Sequence, residues 1–187
     1  MTHGRWHYWN ESERRSWQNP EAILADIGMR PGLTFLDIGC GPGFFSMPAA
    51  RIAGAAGKVY GLDIDNSAIE ELRKQAAREG LDNLELRVGQ AEEMILCEAC
   101  ADIVFLGIVL HDFQDPARVL DNARRMLKPG GSLANLDWKK QSMRLGPPEA
   151  IRFDETTASR MIQSAGFWVE RIQDTGPYHY LIVARPA

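Results

Sequence analysis

The chain reads as an α/β protein built on a doubly wound sheet of seven strands, mostly parallel and closed by a C-terminal antiparallel hairpin. Three observations predict it. Apolar runs of strand length alternate with helical stretches five times, and one helix and two further strands follow. The first apolar run passes directly into three glycines at alternate positions, as a strand does when it turns tightly into a helix. The last two runs are separated by Asp174-Thr175-Gly176-Pro177, a turn that joins antiparallel strands.

Each element has a local reason. Asn19-Pro20-Glu21 supplies an N-cap, a proline at the first helical position and an acid in the first turn, opening a helix that ends at Gly28. Leu33 to Ile38 is a short apolar run suited to a buried parallel strand. Phe44 to Gly54 reads as helix, with Pro48 tolerated near the first turn. Lys58 to Leu62 forms a second strand, Asn66 to Glu79 a helix stopped by Gly80, and Leu84 to Val88 a third strand. Ala101 to Ile108 is the most apolar stretch and predicts a central strand. Pro116 to Leu127 is an amphipathic helix, and Lys128-Pro129-Gly130-Gly131 makes a turn before a fifth strand, Ser132 to Trp138. Asp154 caps a helix running to Ala165, and Phe167–Gln173 and Tyr178–Ala184 complete the sheet. The connection from Lys139 to Phe153, with Gly146-Pro147-Pro148 inside it, is longer than most loops of its kind, and long loops at strand ends carry function.

Composition narrows the function. A length of 187 residues predicts one domain over 1–187. A net charge of −4 with no basic block argues against a nucleic-acid partner, whose phosphates demand a basic face. The first ten residues lack the apolar centre of a signal peptide, and no apolar window reaches the roughly 18 residues of a membrane span. Three cysteines, Cys40, Cys97 and Cys100, are too few and too unevenly placed for a disulfide framework. Together these predict a cytoplasmic protein with no membrane partner. Cys97-Glu98-Ala99-Cys100 has redox or metal spacing, but no second pair completes a tetrahedral zinc site, so the sequence predicts no metal and Cys100 packing at the start of the fourth strand.

The glycine turn carries the chemistry. In Phe35-Leu36-Asp37-Ile38-Gly39-Cys40-Gly41-Pro42-Gly43 the third glycine falls at Gly43, whereas a dinucleotide fingerprint would need it at position 44, which is Phe44. The Asp37 carboxylate would repel a pyrophosphate and suits a cationic ligand. Asp63 ends the second strand, twenty positions after Gly43, where an acid can accept hydrogen bonds from both hydroxyls of a ribose; the alternative is a cap on the next helix, for which Asp65 and Asn66 are better placed. With Leu127-Lys128-Pro129-Gly130-Gly131 before the fifth strand, the chain from Gly32 to Ala184 resembles the class I S-adenosylmethionine-dependent methyltransferases.

That resemblance implies a Rossmann-like fold and S-adenosylmethionine as cofactor, with S-adenosylhomocysteine as product. It places Asp37, Gly39, Cys40, Gly41 and Gly43 as the cradle, Asp63 on the ribose and Ile64 on one face of the adenine. Val88-Gly89-Gln90-Ala91-Glu92 would border the adenine, with Gln90 offering a carbonyl where the family usually has an aspartate; a solvated glutamine is the alternative. Gly107 would let the reacting end approach the backbone. His111, in the family's fourth-strand motif, is a candidate general base, or else a packing or adenosine-shielding residue. Asp137 orients a substrate donor or pairs with Lys139 or Lys140. Trp6, Tyr8, Trp9 and Trp17 make residues 1–18 an aromatic lid, a segment packed on the sheet, or a dimer contact, which leaves a homodimer open. The function implied is methyl transfer to a small-molecule nucleophile. The alternative is a protein that binds the cofactor for sensing or regulation; a nicotinamide oxidoreductase fails at Phe44.

Overall fold

The structure, a computed structural model, describes residues 11–187. Trp6, Tyr8 and Trp9, and with them most of the expected lid, lie outside the described residues. The elements run α1 (Glu11–Arg15), α2 (Pro20–Asp26), β1 (Thr34–Ile38), α3 (Ser46–Ala53), β2 (Lys58–Asp63), α4 (Asn66–Glu79), β3 (Leu84–Val88), β4 (Ala101–Gly107), α5 (Pro116–Met126), β5 (Leu127–Trp138), α6 (Glu155–Ser164), β6 (Phe167–Thr175) and β7 (His179–Pro186).

The strands lie in one sheet, ordered β3-β2-β1-β4-β5-β7-β6. β1 to β5 are parallel, and β7 is antiparallel to both β5 and β6. The hairpin expected at the C-terminus is therefore present, with its second strand inserted inside its first. The chain order reverses between β1 and β4, and the crevice outside the carboxyl ends of those strands is where doubly wound sheets bind ligands.

Caps fix the helices as the sequence indicates. Asn19 Oδ1 accepts from Ala22 N, Asp65 from Ser67 N, Asp115 from Arg118 N and Asp154 from Thr157 N. Two boundaries differ in a way that bears on the site, others by one or two residues. α3 begins at Ser46 rather than Phe44, because the chain spends Gly43 to Phe45 completing the turn and the Ser46 hydroxyl bonds Asp37 instead of capping its own helix. β5 begins at Leu127, so the expected turn at Lys128–Gly131 is a bulge within the strand: Ala101 pairs with Leu127 and Ile103 with Ser132. Lys128 Nζ and Thr34 N both donate to Asp102 Oδ2 at 2.8 Å, fastening that bulge to the sheet.

Strand alternation divides the core between the two sheet faces. Leu36, Ile38 and Leu106 pack with Leu120, Met126 and Ile162 of α5 and α6. Phe35, Phe105 and Leu181 pack with Ile23 and Ala50 of α2 and α3 on the other side. Trp17 packs on aromatic rings at the edge of this core. Its ring lies 5.5 Å from His179, stacked, and 5.6 Å from Trp138, so this member of the aromatic set packs on the ends of β5 and β7.

Candidate active site

At the carboxyl end of β1 the backbone turns back on β2. Gly39 N and Cys40 N both donate to Leu62 O, at 2.7 and 3.1 Å. Gly39, Gly41 and Gly43 all have positive φ, which a residue with a Cβ adopts only under strain. The space on the Cβ side of two of these glycines is not open. A Cβ on Gly39 would meet Val109, and one on Gly43 would meet Leu72. The same holds at Gly107, where a Cβ would meet the rings of Phe105 and Phe45. These glycines let protein pack on protein, and the turn they form is what faces the crevice.

Asp63 ties that turn to β2. Its Oδ2 accepts from Gly41 N at 2.7 Å and its Oδ1 from Asp65 N at 2.8 Å. Asp65 caps α4, so Asp63 is left at the strand end with lone pairs to spare on both oxygens. Burial raises its pKa, against backbone donors that lower it. Beside it, Ile64 is 56% exposed and Val88, at the end of β3, 44% exposed: an apolar shelf next to an acid. Gln90 is exposed beyond them and Ala91 is buried. Glu92 Oε1 accepts from Gln114 N at 3.1 Å, so its carboxylate fastens the loop after β4.

Asp37 lies under the turn, buried, with Oδ2 accepting from the Ser46 hydroxyl at 2.6 Å. Burial pushes its pKa up to about 7 against the pull of that hydroxyl. A buried acid in this state gains most from a cation placed near it. Cys40 is also buried, which holds its thiol well above the usual range and so protonated.

Across the switch point β4 ends abruptly. Ile108 has φ 64°, a strained value for a β-branched residue, and its N–H donates to Leu136 O at 2.7 Å. A single 3₁₀ turn, Leu110–Asp112, then carries His111 over β5. His111 Nδ1 lies 2.8 Å from Asp137 Oδ1, with side-chain exposures of 2% and 1%. The carboxylate accepts, so in the neutral ring Nδ1 carries the proton and Nε2 keeps its lone pair, with Asp112 Oδ1 3.6 Å from Nε2. Burial pulls the His111 pKa down, but the Asp137 bond, helped by the Asp137 and Asp112 charges, outweighs it and the net shift is upward. Asp137 also accepts from Trp138 N at 2.8 Å. The expected pairing with a lysine is thus corrected: Lys139 reaches Asp174 at 3.0 Å, while Asp137, cut off from solvent, holds the histidine.

Sequence reasoning missed three residues here. Asn122 of α5, buried, donates from Nδ2 to Ala91 O and Glu92 O, 2.9 Å each, and so holds the loop after β3. Its signal was an amide on the apolar face of an amphipathic helix, between Val119 and Ala123. Arg152 donates to the carbonyls of Lys139, Gln141, Leu145 and Pro147, moulding the long connection after β5. Arg14 stands 3.9 Å over the Phe44 ring, which brings α1 onto the glycine turn. Neither arginine lies in a motif, and nothing local marked them.

Cys97 and Cys100 form a disulfide, with Cα atoms 5.9 Å apart, and both pack against the core, so Cys100 packs before β4 as expected but does so within a bridge. The pair precedes β4, so it sits at the opposite end of the sheet from His111. Among the described residues, no group of three His, Cys, Asp or Glu side chains is placed to hold a metal ion. No helix among the described residues is long and apolar enough to cross a membrane.

A doubly wound sheet, a glycine turn at its switch point and an acid with spare acceptors ending the neighbouring strand define a class of nucleotide-type α/β proteins. A family model described as a methyltransferase domain matches residues 29–170. The chain is 34% identical over 119 residues to an arsenite methyltransferase of Halobacterium salinarum, covering 64% of this chain and 30% of that one. It is 28% identical over 121 residues to a demethylmenaquinone methyltransferase of Staphylococcus aureus, covering 65% and 49%. The chain thus spans between about a third and a half of these relatives' lengths. A solved S-adenosylmethionine-dependent methyltransferase from Aquifex aeolicus superposes with a TM-score of 0.87 at 27% identity, covering 94% of this chain and 98% of that one. The chain belongs to the class I S-adenosylmethionine-dependent methyltransferase family.

The residues present fit that family's cofactor. The exposed Ile64–Val88 shelf beside Asp63 suits an adenosine, and the buried Asp37 suits a neighbouring positive charge.

Proposed function

We propose that this chain transfers a methyl group from S-adenosylmethionine to a small-molecule acceptor, with His111 as general base and Asp137 as the group that orients it. The observation that carries this reading is the buried His111–Asp137 hydrogen bond of 2.8 Å beside the switch point. Asp63 would hold the ribose, with Ile64, Gln90, Ala91 and Glu92 around the adenine. Gly39, Cys40, Gly41 and Gly43 would form the turn under the cofactor, with Asp37 and Gly107 bordering its reacting end. When bound, the cofactor supplies a sulfonium-activated methyl group. The protein's share is to align the acceptor, exclude water and take its proton. Asp137 fixes the tautomer that leaves His111 Nε2 ready to accept that proton.

The acceptor is an organic molecule that gives up a proton on methylation, such as a hydroxylated or quinol-type ring. One relative is named for demethylmenaquinone and another for arsenite. A thiophilic acceptor would need thiolates at the site, whereas Cys97 and Cys100 lie at the far end of the sheet and Cys40 is buried and protonated. The test is incubation of the full chain with methyl-labelled cofactor and a panel of hydroxylated aromatics, quinols and arsenite. His111→Ala should lower turnover roughly 100-fold with cofactor affinity nearly unchanged. Equal losses in rate and cofactor affinity would instead make His111 a wall of the pocket, and a labelled methylarsenic species as the sole product would overturn the acceptor class.

A further inference from the structure

Behind the His111–Asp137 pair, β5 and β7 enclose polar atoms that the mechanism above does not use. Asp137 Oδ2 is buried without a hydrogen-bond partner, and so are both Oδ1 and Nδ2 of Asn135, whose amide lies near enough to the Tyr180 hydroxyl to pull that phenol's pKa down against burial but not in hydrogen-bond geometry. Asn135 has no exposed surface. The two residues are two apart on β5, so their side chains share a sheet face. They share it with Leu133 and with Tyr180 and Ile182 of β7, which pack in the same core layer. Tyr180 is the register partner of Asp137, and Ile182 that of Asn135. The Tyr180 hydroxyl donates to Phe153 O at 3.2 Å.

Unpaired polar atoms in such a place are costly, and native interiors rarely leave several together. Three of them, offering one donor group and two acceptor oxygens, match the partners of one enclosed water, which makes about three hydrogen bonds. Residues two apart on a strand are about 6.6 Å apart along it, a separation suited to a water bridge rather than a direct bond.

We propose that Asn135 is a positioning residue for His111, acting through an enclosed water that bridges its amide to Asp137 Oδ2. Asp137 is then held at both oxygens: Oδ1 by His111 and Trp138 N, Oδ2 by the water. A carboxylate held twice cannot rotate, and the imidazole ring it orients keeps one tautomer. The inference rests on the proposed role of His111 only for its consequence in catalysis; the water and the tautomer are tested without an acceptor. The charged or titratable groups facing the pair are Asp112 and Arg152 toward His111, and Arg152 and Tyr180 toward Asp137.

The experiment has two readouts. A high-resolution crystal structure of the wild-type chain should show a water within hydrogen-bond distance of the Asn135 amide and Asp137 Oδ2; a dry site there overturns the proposal. Nitrogen NMR of the histidine rings, with His111 assigned from His111→Gln, should show the Nδ1–H tautomer favoured by more than about tenfold in the wild type. Asn135→Leu, alike in branching and unable to bind water, should bring that ratio within about threefold and shift the His111 titration, while Asn135→Ser, which keeps a hydroxyl, should restore it. Unchanged tautomer and titration in folded Asn135→Leu would overturn the proposal. Should Asn135→Leu fail to fold, the crystallographic water decides alone. Full methyl transfer by His111→Gln would instead refute the base and leave this inference standing.

Discussion

The two sides of the switch point satisfy their polar groups in opposite ways. On the β1–β2 side the backbone holds them: Asp63 is pinned at both oxygens by N–H groups within two residues of it or in the adjoining turn, and its surroundings are open. On the β5–β7 side the holders are side chains from distant positions. His111 meets Asp137 across 26 residues of sequence, and unpaired Asn135 and His179 atoms are sealed in. An acid held by backbone remains available to a ligand, while a pair held by packing is oriented and shut off from bulk solvent. Binding calls for the first arrangement and proton transfer for the second.

Breaking the first side should produce the largest effect. Asp63→Ala removes two charge-assisted acceptors from the ribose and releases Gly41 N, costing on the order of 2–4 kcal/mol of cofactor affinity. Calorimetric titration of the folded variant with S-adenosylhomocysteine measures it, and wild-type affinity would sink the ribose assignment.

The second side should show its character in acid. Burial first, and then the charges of Arg14, Lys139 and Arg152, push the His179 imidazole down to about 3. A histidine depressed in the fold lends stability above its unfolded pKa of about 6.5, and that stability is lost as pH falls from there toward about 3. Between about pH 7 and pH 4 the loss is on the order of 3 kcal/mol. His179→Phe, which keeps the stack on Trp17 and Trp138, should flatten that acid limb in urea denaturation; an unaltered limb would place the acid sensitivity elsewhere.

Asp37 belongs to the first side but is buried like the second, and its titration runs the other way. A carboxyl raised to about 7 by burial favours the fold below its unfolded pKa near 4, and that contribution fades as pH rises through 7. Asp37→Asn should therefore stabilise the ligand-free protein at about pH 8 by about 2 kcal/mol while weakening cofactor binding. A variant no more stable at pH 8 than at pH 4, relative to wild type, would mean that the acid is already relieved by a neighbour.

The smallest change is Arg152→Lys. One ammonium cannot reach four carbonyls at once, so a loss of about 1–2 kcal/mol is expected. Faster proteolytic cutting within residues 139–151 should accompany it. Equal cutting rates in the two proteins would show that the connection is held by other contacts.

The same contrast decides what the sequence made legible. The first side is written locally. A glycine needs its positive φ at one position, an acid ends one strand, and Asp65 caps the helix beginning at the next residue; each can be read within ten residues. Even there the reason for Gly39 and Gly43 escaped, because Val109 and Leu72 arrive from other elements. The second side exists only after folding. His111 and Asp137 each stood out, but their union depends on β4 lying beside β5 and on the Ile108 kink that swings the turn over it. Asn135 in an apolar strand gave no sign of being unpaired. Arg152 looked like one cation among many, since its partners are carbonyls that no sequence pattern displays.

Those carbonyl partners have an evolutionary consequence. The Arg152 guanidinium grips only oxygens that every residue possesses, those of Lys139, Gln141, Leu145 and Pro147, so its hold is indifferent to the side chains of the segment it shapes. Positions such as Lys140, Ser142, Met143 and Arg144 can change identity while the path of the chain stays put. Beside the proposed base, the molecule thus carries a stretch of fixed contour and free lettering, on which a lineage can alter which acceptor it welcomes without rebuilding the protein around it.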